Sequence, residues 1–305
     1  MMREGPAGDS LRRRTQEILR ARGLHPRKRF GQHFMISRTV RERILREADL
    51  GPGCTAVEIG PGTGLLTEAL LATGAAVLAV EVDAGLARFL EETLGNHPHF
   101  RIWVADALRF DYGEALAPYR GLGPVRVVAN IPYQITSPLI FRLLEAGGLF
   151  DRLCLTVQRE VADRLSASPG TKAYGALTLA CQYRATVRTV LRIPPGAFYP
   201  APAVDSALVR MECRPAPAVA VGSEERLFRV IRAAFGQRRK TLRNALRHAG
   251  WSVGSVGEAL AVAGVAGERR GETLSLEEFA RVSEALPAGN ERTDSESDSG
   301  DPRGP

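Results

Sequence analysis

The chain has 305 residues, of which 44% are hydrophobic and 25% are charged, a composition typical of a globular protein with room for one large and one smaller domain. No apolar run reaches the roughly 20 residues of a membrane span, and the Arg-rich N-terminus lacks the apolar segment of a secretory signal. The net charge of +7 indicates an anionic partner.

Residues 1–28 form a basic N-terminal arm that we expect to be polar and mobile at its tip. A first basic cluster lies in and just after this arm and contains Arg12, Arg13, Arg14, Arg20, Arg22, Arg27, Lys28 and Arg29.

From residue 55 to residue 213, short β-rich runs alternate with amphipathic helical patterns, which predicts a parallel sheet covered on both faces. The runs cover residues 55–59, 76–82, 100–104, 125–129 and 153–157, with helical patterns at 65–72 and 84–94. Two further runs, 186–193 and 206–213, lack a clear intervening helix and predict an antiparallel hairpin at the sheet edge. We therefore expect residues 29–214 to form an α/β domain with a doubly wound, mostly parallel, Rossmann-like sheet.

The segment Arg214-Pro215-Ala216-Pro217 is predicted to be a linker. Four helical patterns follow it, at residues 224–235, 240–249, 256–263 and 275–286, so residues 215–287 should form a small all-α domain. A second basic cluster runs from Arg226 to Arg247 without an acid. Residues 288–305 lack large apolar side chains and are predicted to be a disordered tail.

Three strand ends carry the pattern of a nucleotide-binding edge. Gly60-Pro61-Gly62-Thr63-Gly64 follows the first run, where glycine permits a tight turn and close approach of a ligand. Glu81 stands near the end of the second run, where an acid can accept hydrogen bonds from ribose hydroxyls. Asp106 follows the third, where an acid can accept from an adenine amino group. This order predicts an S-adenosylmethionine site; NAD or FAD is the alternative, although a dinucleotide site would place its third glycine one residue later.

The most informative motif is Asn130-Ile131-Pro132-Tyr133, which follows the run at residues 125–129. The side-chain oxygen of Asn130 and the carbonyl of Pro132 are acceptors, and the Tyr133 ring is a stacking surface, so the set suits the N6 amino group of adenine. Two acceptors would orient that amine towards a methyl donor without a strong general base. Ser137 and Pro138 are predicted as the N-cap and first turn of the next helix.

Taken together, these motifs resemble those of the small-subunit ribosomal RNA adenine dimethyltransferases, the KsgA family. The resemblance extends over nearly the whole ordered chain. Its motifs are residues 29–35 (RFGQHFM), the 60–64 turn, Glu81, Asp106, Asn130–Tyr133, residues 157–162 (VQREVA), 198–206 (FYPAPAVDS), 235–244 (FGQRRKTLRN) and 271–275 (GETLS).

The resemblance implies dimethylation at N6 of two adjacent adenosines in the 3′-terminal hairpin loop of small-subunit (16S) rRNA, with a role in small-subunit biogenesis. It implies cofactor contacts from His33, Met35, Gly60, Glu81, Asp106 and Asn130. Family members often have Asn where His33 stands and Leu where Met35 stands, but the side-chain character is kept, so we expect binding to persist. Tyr133 and Phe198 would stack on the extruded base; the alternative for Phe198 is a core aromatic in a Pro-rich loop.

The second basic cluster is expected to hold RNA phosphates, with salt-sensitive affinity. The residues assigned to this role are Arg238, Arg239, Lys240, Arg243 and Arg247. The expected partner is small-subunit rRNA or the assembling 30S subunit.

Three alternatives stay open. A methyltransferase of the macrolide-resistance type, acting on a large-subunit rRNA adenine, would share the cofactor site and the Asn130–Tyr133 motif. The segment 238–244 and the region of Leu274 and Ser275 favour the small-subunit family. A DNA adenine methyltransferase would usually have Pro where Ile131 stands. The third alternative is a ribosome-assembly factor that acts mainly by binding.

The cysteine and histidine residues show no spacing typical of a metal site. Cys54, Cys154, Cys181 and Cys213 form no Cys-x-x-Cys pair, and the histidines lack metal-ligand spacing. We therefore expect no metal, no membrane association and a cytoplasmic location, and we expect the chain to be a monomer.

Overall fold

The computed structural model describes residues 6–237 and 239–288. Within them the chain forms two compact units, one of residues 6–167 and 180–218, the other of residues 168–179 and 219–288. The second unit thus includes a short segment that the sequence placed inside the first domain, and the main boundary falls at 218/219 rather than 214/215.

A seven-stranded sheet forms the centre of the first unit, with strand order β4-β3-β2-β5-β6-β9-β7. Its strands are β2 (Thr55–Ile59), β3 (Ala76–Glu81), β4 (Phe100–Val104), β5 (Val125–Asn130), β6 (Arg152–Gln158), β7 (Ala185–Ile193) and β9 (Ser206–Cys213). Strands β2 to β6 are parallel, whereas β9 is antiparallel to both β6 and β7. The predicted doubly wound sheet and its antiparallel hairpin at the edge are confirmed. A separate two-stranded sheet pairs β1 (Phe34–Met35) with β8 (Phe198–Tyr199).

Helices flank the strands of this unit. They are α1 (Pro6–Ala21), α2 (Arg38–Ala48), α3 (Leu65–Leu71), α4 (Ala84–Leu94), α5 (Tyr112–Leu116), α6 (Thr136–Glu145), α7 (Arg159–Leu165) and α8 (Ala176–Arg184), and the division between the units falls within α8. Apolar side chains of α2 and α3 pack on the central strands in one cluster with Ala56, Val77 and Val128. Strands buried on both faces explain the near-continuous apolar runs in the sequence.

Two local predictions need correction, and two helices were not predicted. The N-terminal arm contains a regular helix, α1, whose Leu19 is buried. Helix α6 begins at Thr136 with Ile135 at the N-cap, so Ser137 lies inside the helix and caps nothing. Helices α7 and α8 lie between β6 and β7, in a stretch where the sequence analysis identified no helical pattern.

The second unit contains the four predicted helices: α9 (Glu224–Gly236), α10 (Leu242–His248), α11 (Val253–Ala263) and α12 (Leu276–Ala285). Each begins at a Ser or Thr whose side chain accepts a backbone N–H, and α12 has a full capping box between Ser275 and Glu278. Residues 168–179 are tied to this unit by the Tyr174 hydroxyl, which donates to the carbonyl of Leu274 at 2.8 Å. In the described part of the chain, no helix has the length and apolar character to cross a membrane.

Candidate active site

The carboxyl ends of the parallel strands enclose a cavity of about 280 Å³. Open α/β sheets bind ligands at this edge. Residues at or just after the ends of β2, β3, β4 and β5 line the cavity, together with the segment leading into β1. Among them are Gly60, Gly62, Glu81, Leu86, Asp106, Asn130 and Pro132, with Arg29, Gln32, His33 and Phe34.

The glycine turn after β2 allows a ligand to approach the backbone closely. Gly60, Gly62 and Gly64 all have positive φ, at 70°, 58° and 79°, a region that side-chain-bearing residues rarely adopt. A Cβ on Gly62 would lie 2.8 Å from Cδ1 of Phe34, so the packing also excludes a side chain there. The backbone therefore forms the cavity wall directly.

Glu81, at the end of β3, is buried, with 5% of its surface exposed. One carboxylate oxygen accepts the N–H of Asp83 at 2.9 Å, and the other accepts the N–H of Gly62 at 3.1 Å. Burial raises the pKa of Glu81, and these two hydrogen bonds oppose that shift. The carboxylate is thereby fixed in the cavity wall, and each oxygen retains acceptor capacity for a ligand hydroxyl.

Asp106 follows β4 and lines the same cavity with an exposed side chain. Its Oδ1 accepts the N–H of Leu108 at 2.9 Å, which closes a short turn after the strand. The remaining acceptor positions of the carboxylate are free for an amino group.

The amide of Asn130 is oriented by the segment before β1. Its Nδ2 donates to the backbone carbonyl of His33 at 2.6 Å. Because the nitrogen is committed to that hydrogen bond, Oδ1 is left as the acceptor that the side chain offers in the cavity. This arrangement brings two residues of the predicted site together across a long stretch of sequence.

His33 has its tautomer fixed by a neighbouring loop. Nδ1 lies 2.7 Å from the carbonyl of Pro200, which can only accept, so Nδ1 carries the proton and Nε2 of the neutral ring is an acceptor. The His33 ring stacks on Tyr133, with centroids 5.9 Å apart and planes inclined by 25°. The Tyr133 hydroxyl in turn lies 3.0 Å from Oγ of Ser206. These contacts hold the Tyr133 ring in one orientation beside the cavity.

Pro132 and Phe198 are less available to a substrate base than the sequence suggested. The carbonyl of Pro132 accepts the N–H of Ile135 at 3.1 Å and the hydroxyl of Thr136 at 3.3 Å, because it closes the first turn leading into α6. Phe198 is only 4% exposed and packs in the core cluster of the first unit. Its alternative reading as a core aromatic fits this position, because a ring buried to this extent has no open face for a base.

A smaller cavity of about 40 Å³ shares Phe34, Gly60, Gly62 and Asn130 with the larger one. Met35 lines this smaller cavity and not the main one. Glu58 also lines it, and the sequence analysis did not select this residue. Glu58 is 1% exposed, and its Oε2 has no hydrogen-bond partner among the described residues. Burial, with the nearby charge of Glu81, raises the pKa of Glu58 to about 8.

Other lining residues also escaped the sequence reasoning. Gln32 links the segment before β1 to the end of β3: its Nε2 donates to Asp83 at 3.1 Å, and its Oε1 accepts the N–H of Arg27 at 2.8 Å. Phe34 and Leu86 supply apolar wall and pack together with Leu19 of α1. Gln32 and Phe34 stand within a motif that pointed to the site, but the sequence alone assigned them no individual role.

The predicted RNA-binding residues belong to the second unit. Arg239 and Lys240 are exposed between α9 and α10, and Arg247 is exposed in the last turn of α10. Arg243 is also exposed and forms an ion pair with Glu268 at 3.2 Å. Arg238 lies outside the described residues, as do residues 1–5 of the basic arm and 289–305 of the predicted tail.

No group of three or more His, Cys, Asp or Glu residues suited to a metal ion occurs within residues 6–237 and 239–288. The four cysteines are free thiols.

Comparison with known proteins identifies relatives over most of the chain. The family model for ribosomal RNA adenine dimethylase matches residues 23–287. The chain is 45% identical over 278 residues to the ribosomal RNA small subunit methyltransferase A of Moorella thermoacetica, covering 90% of this chain and 96% of that protein. It is 46% identical over 286 residues to the protein of the same name from Pelotomaculum thermopropionicum, covering 91% and 97%.

Solved structures agree with the architecture. The 23S rRNA methyltransferase ErmE superposes with a TM-score of 0.66 at 28% identity, over 83% of this chain and 99% of that one. A dimethyladenosine transferase from Plasmodium falciparum superposes with a TM-score of 0.67 at 22% identity, over 82% and 96%, and supports the fold.

Proposed function

The chain belongs to the ribosomal RNA adenine dimethylase family, and we propose that it is the S-adenosylmethionine-dependent enzyme that dimethylates N6 of two adjacent adenosines in the 3′-terminal hairpin loop of small-subunit rRNA. The observation that carries this proposal is the hydrogen bond from the Asn130 amide to the His33 carbonyl, which leaves an acceptor at the rim of the cavity. A role in small-subunit biogenesis follows from the substrate.

The main cavity fits the adenosyl part of S-adenosylmethionine. Its wall at Gly60 and Gly62 has no side chains, and Glu81 presents a fixed carboxylate that can accept from both ribose hydroxyls. Asp106 would accept from the adenine amino group of the cofactor. The smaller cavity, lined by Met35, would take part of the methionine chain. When bound, S-adenosylmethionine supplies an electrophilic methyl group on a sulfonium.

Asn130 would hold the amine that receives the methyl group. The N6 lone pair of adenine is delocalised into the ring, so the free amine is a weak nucleophile. An N–H of that amine donating to Oδ1 of Asn130 favours a pyramidal nitrogen, and the hydrogen bond strengthens as positive charge develops there. The proton leaves to water after alkylation, when the nitrogen has become acidic.

Pro132 and Tyr133 complete this part of the site. The Pro132 carbonyl can take the second amino proton only by giving up one of its bonds to Ile135 and Thr136. Tyr133 offers a ring braced by His33 and Ser206 for stacking on the extruded base. The stacking role therefore falls to Tyr133, and Phe198 stays in the core.

The exposed cations of the second unit would position the RNA. Arg239, Lys240, Arg243 and Arg247, together with Arg238, fit contacts to phosphates, which fix the register of a folded RNA without reading its sequence. The partner would be small-subunit rRNA, free or in the assembling subunit.

Two alternative functions can be weighed against this proposal: a large-subunit rRNA methyltransferase and an assembly factor that mainly binds. The likeness to ErmE, at 28% identity, is weaker than the 45% and 46% identity to the small-subunit methyltransferases, which favours the small-subunit substrate. An assembly factor that mainly binds would have no need for the oriented Asn130 acceptor beside a cofactor-sized cavity.

The test is methyl transfer from radiolabelled S-adenosylmethionine to under-methylated small subunits, with large-subunit rRNA as a parallel acceptor and mass identification of the nucleosides. We expect N6,N6-dimethyladenosine in the small-subunit hairpin. Label confined to large-subunit RNA would overturn the substrate, and tight subunit binding without label in either RNA would overturn the enzymatic role.

A further inference from the structure

Helix α1 is fixed beside the main cavity by apolar contacts. Thr15 and Leu19 form its buried side, and Leu19 packs in one cluster with Phe34 and Leu86. Both of these partners line the cavity. The helix is therefore packed onto the wall of the cavity through Leu19, and its opposite side faces outward.

The arginines of this region fall into two classes. Arg14 pairs with Glu68 of α3, and Arg22, just after α1, pairs with Glu92 of α4, so their charges are neutralised within the protein. Arg13 and Arg20, in contrast, are exposed and make no ion pair with any described residue. Arg12, which lies over the Tyr199 ring, makes no ion pair with a described residue either, so three cations of α1 have no acidic partner within the described part of the chain.

Arg13 and Arg20, the two exposed arginines named above, lie on the same side of α1. Arg13 and Arg20 are seven positions apart, which is close to two full helical turns, so they share a face and lie about 10.5 Å apart along the axis. Glu17 is the acid between them, and it forms no ion pair with a described residue. Next to this face, the guanidinium of Arg12 lies 5.6 Å above the ring of Tyr199, the cross-strand partner of Phe34. The face is therefore basic and adjoins a strand that reaches the cavity.

We propose that this face of α1, defined by Arg13 and Arg20 with Arg12 beside it, is a second RNA-binding surface that holds phosphates of the strand flanking the target adenosine. The inference rests on the proposed function, because an RNA whose base enters the cavity must pass its backbone over the surrounding rim. Guanidinium groups suit phosphate geometrically, and Arg13 and Arg20 have no ion pair with a described residue that binding would have to break. The surface belongs to the first unit, whereas the cations assigned to RNA above belong to the second.

The experiment compares two double variants of the full chain. Arg13→Gln with Arg20→Gln removes two exposed charges on one side of α1 that form no ion pair with a described residue. Arg14→Gln with Arg22→Gln removes the same formal charge from the same region, but from arginines that are already paired. Affinity for the 3′-terminal hairpin RNA and for under-methylated small subunits is measured between about 50 and 200 mM salt, together with S-adenosylmethionine affinity and methyl transfer.

We expect the first variant to reduce the slope of log affinity against log salt by about 2, one for each phosphate that is no longer neutralised, with cofactor affinity unchanged. The second should keep a slope close to that of the wild-type protein. An unchanged slope for the first variant, or equal reductions of the slope in both variants, would contradict the proposal that α1 binds RNA. Failure of the wild-type protein itself to methylate the subunits would instead overturn the proposed function, and failure to bind the RNA would overturn both.

Discussion

The side-chain amide of Asn130 donates a hydrogen bond to the backbone carbonyl of His33, which lies 97 positions earlier in the chain. The segment before β1 therefore determines which end of the amide faces a ligand. Since the oxygen is the end left open, Asn130 acts in the site as an acceptor, as N6 methylation requires.

The first prediction concerns this acceptor. Asn130→Ala should lower methyl transfer about 100-fold or more, because it removes a group whose hydrogen bond strengthens as charge develops in the transition state. RNA affinity should stay within a few-fold, since phosphate contacts dominate binding. Single-turnover methyl transfer and RNA titration measure the two effects.

Gln134→Ala is the matched control, because Gln134 lines the same cavity with an exposed side chain. It should leave the rate within a few-fold of wild type. An Asn130→Ala enzyme that worked at a near wild-type rate would refute the assigned mechanism.

Tyr133 permits the stacking role to be separated from its hydroxyl. Tyr133→Ala should reduce methyl transfer by about 1–3 kcal/mol in transition-state stabilisation, the usual contribution of one base stack. Tyr133→Phe keeps the ring and removes only the hydroxyl that meets Ser206, so its rate should stay much closer to wild type. The comparison is made with kcat/KM on subunits. Equal reductions in the two variants would show that the hydroxyl, and not the ring, matters.

Glu58 should make stability depend on pH. Its pKa is raised to about 8 in the folded protein from the ordinary value of 4.5, so between these limits the folded state holds a proton that the unfolded state has released. The free energy of unfolding should therefore fall as pH rises through this range, with a limiting slope of about 1.4 kcal/mol per pH unit from this group.

Glu58→Gln replaces the carboxyl by a neutral group and should remove that contribution. The free energy of unfolding of the variant should therefore rise relative to that of the wild-type protein as the pH becomes more alkaline. Denaturant unfolding from about pH 5 to about pH 9 measures it. Glu91→Gln, on the exposed side of α4, serves as the control and should leave the wild-type pH dependence in place. If Glu58→Gln retained that dependence as well, the proton would belong to another group.

The second unit gives a prediction on salt dependence. Arg239→Glu with Lys240→Glu should weaken binding to the hairpin RNA and reduce the salt slope by about 2, because both side chains are exposed and make no ion pair with a described residue. Arg270→Glu alters an exposed arginine of the same unit outside the cluster, and its slope should stay near wild type. A slope unaltered by the double reversal would place the RNA surface elsewhere.

Much of the fold was predictable because its signals are local. The runs at 55–59, 100–104 and 206–213 coincide with β2, β4 and β9, and residues 84–94 with α4. A buried parallel strand favours a continuous apolar run, and a turn with positive φ favours glycine, so both leave a mark within a few residues. The cavity lining at Gly60, Glu81, Asp106 and Asn130 follows from the same logic, since parallel strands end at one edge.

The sequence-based predictions differ from the structure where a residue's environment is set by residues that are distant in the sequence. The Pro-rich loop around Phe198 suggests base stacking, but the burial of this ring is decided by strands and helices far away in sequence. Residues 168–179 join the second unit through Tyr174 and Leu274, which share no local pattern. The arm forms helix α1 because Leu19 finds partners in Phe34 and Leu86.

The sequence by itself determined the positions of the seven main strands and of most helices, the glycine turn, and the chemical groups at the strand ends that line the cavity, because these depend on backbone propensity and on patterns a few residues long. Only the tertiary structure decided which atoms of those groups are open. The Asn130 oxygen is free because His33 takes the nitrogen, the Pro132 carbonyl is occupied because α6 starts at Thr136, and His33 Nδ1 holds its proton because Pro200 accepts it. Hydrogen-bonding capacity is fixed by residue type, but its allocation depends on neighbours that only folding brings together.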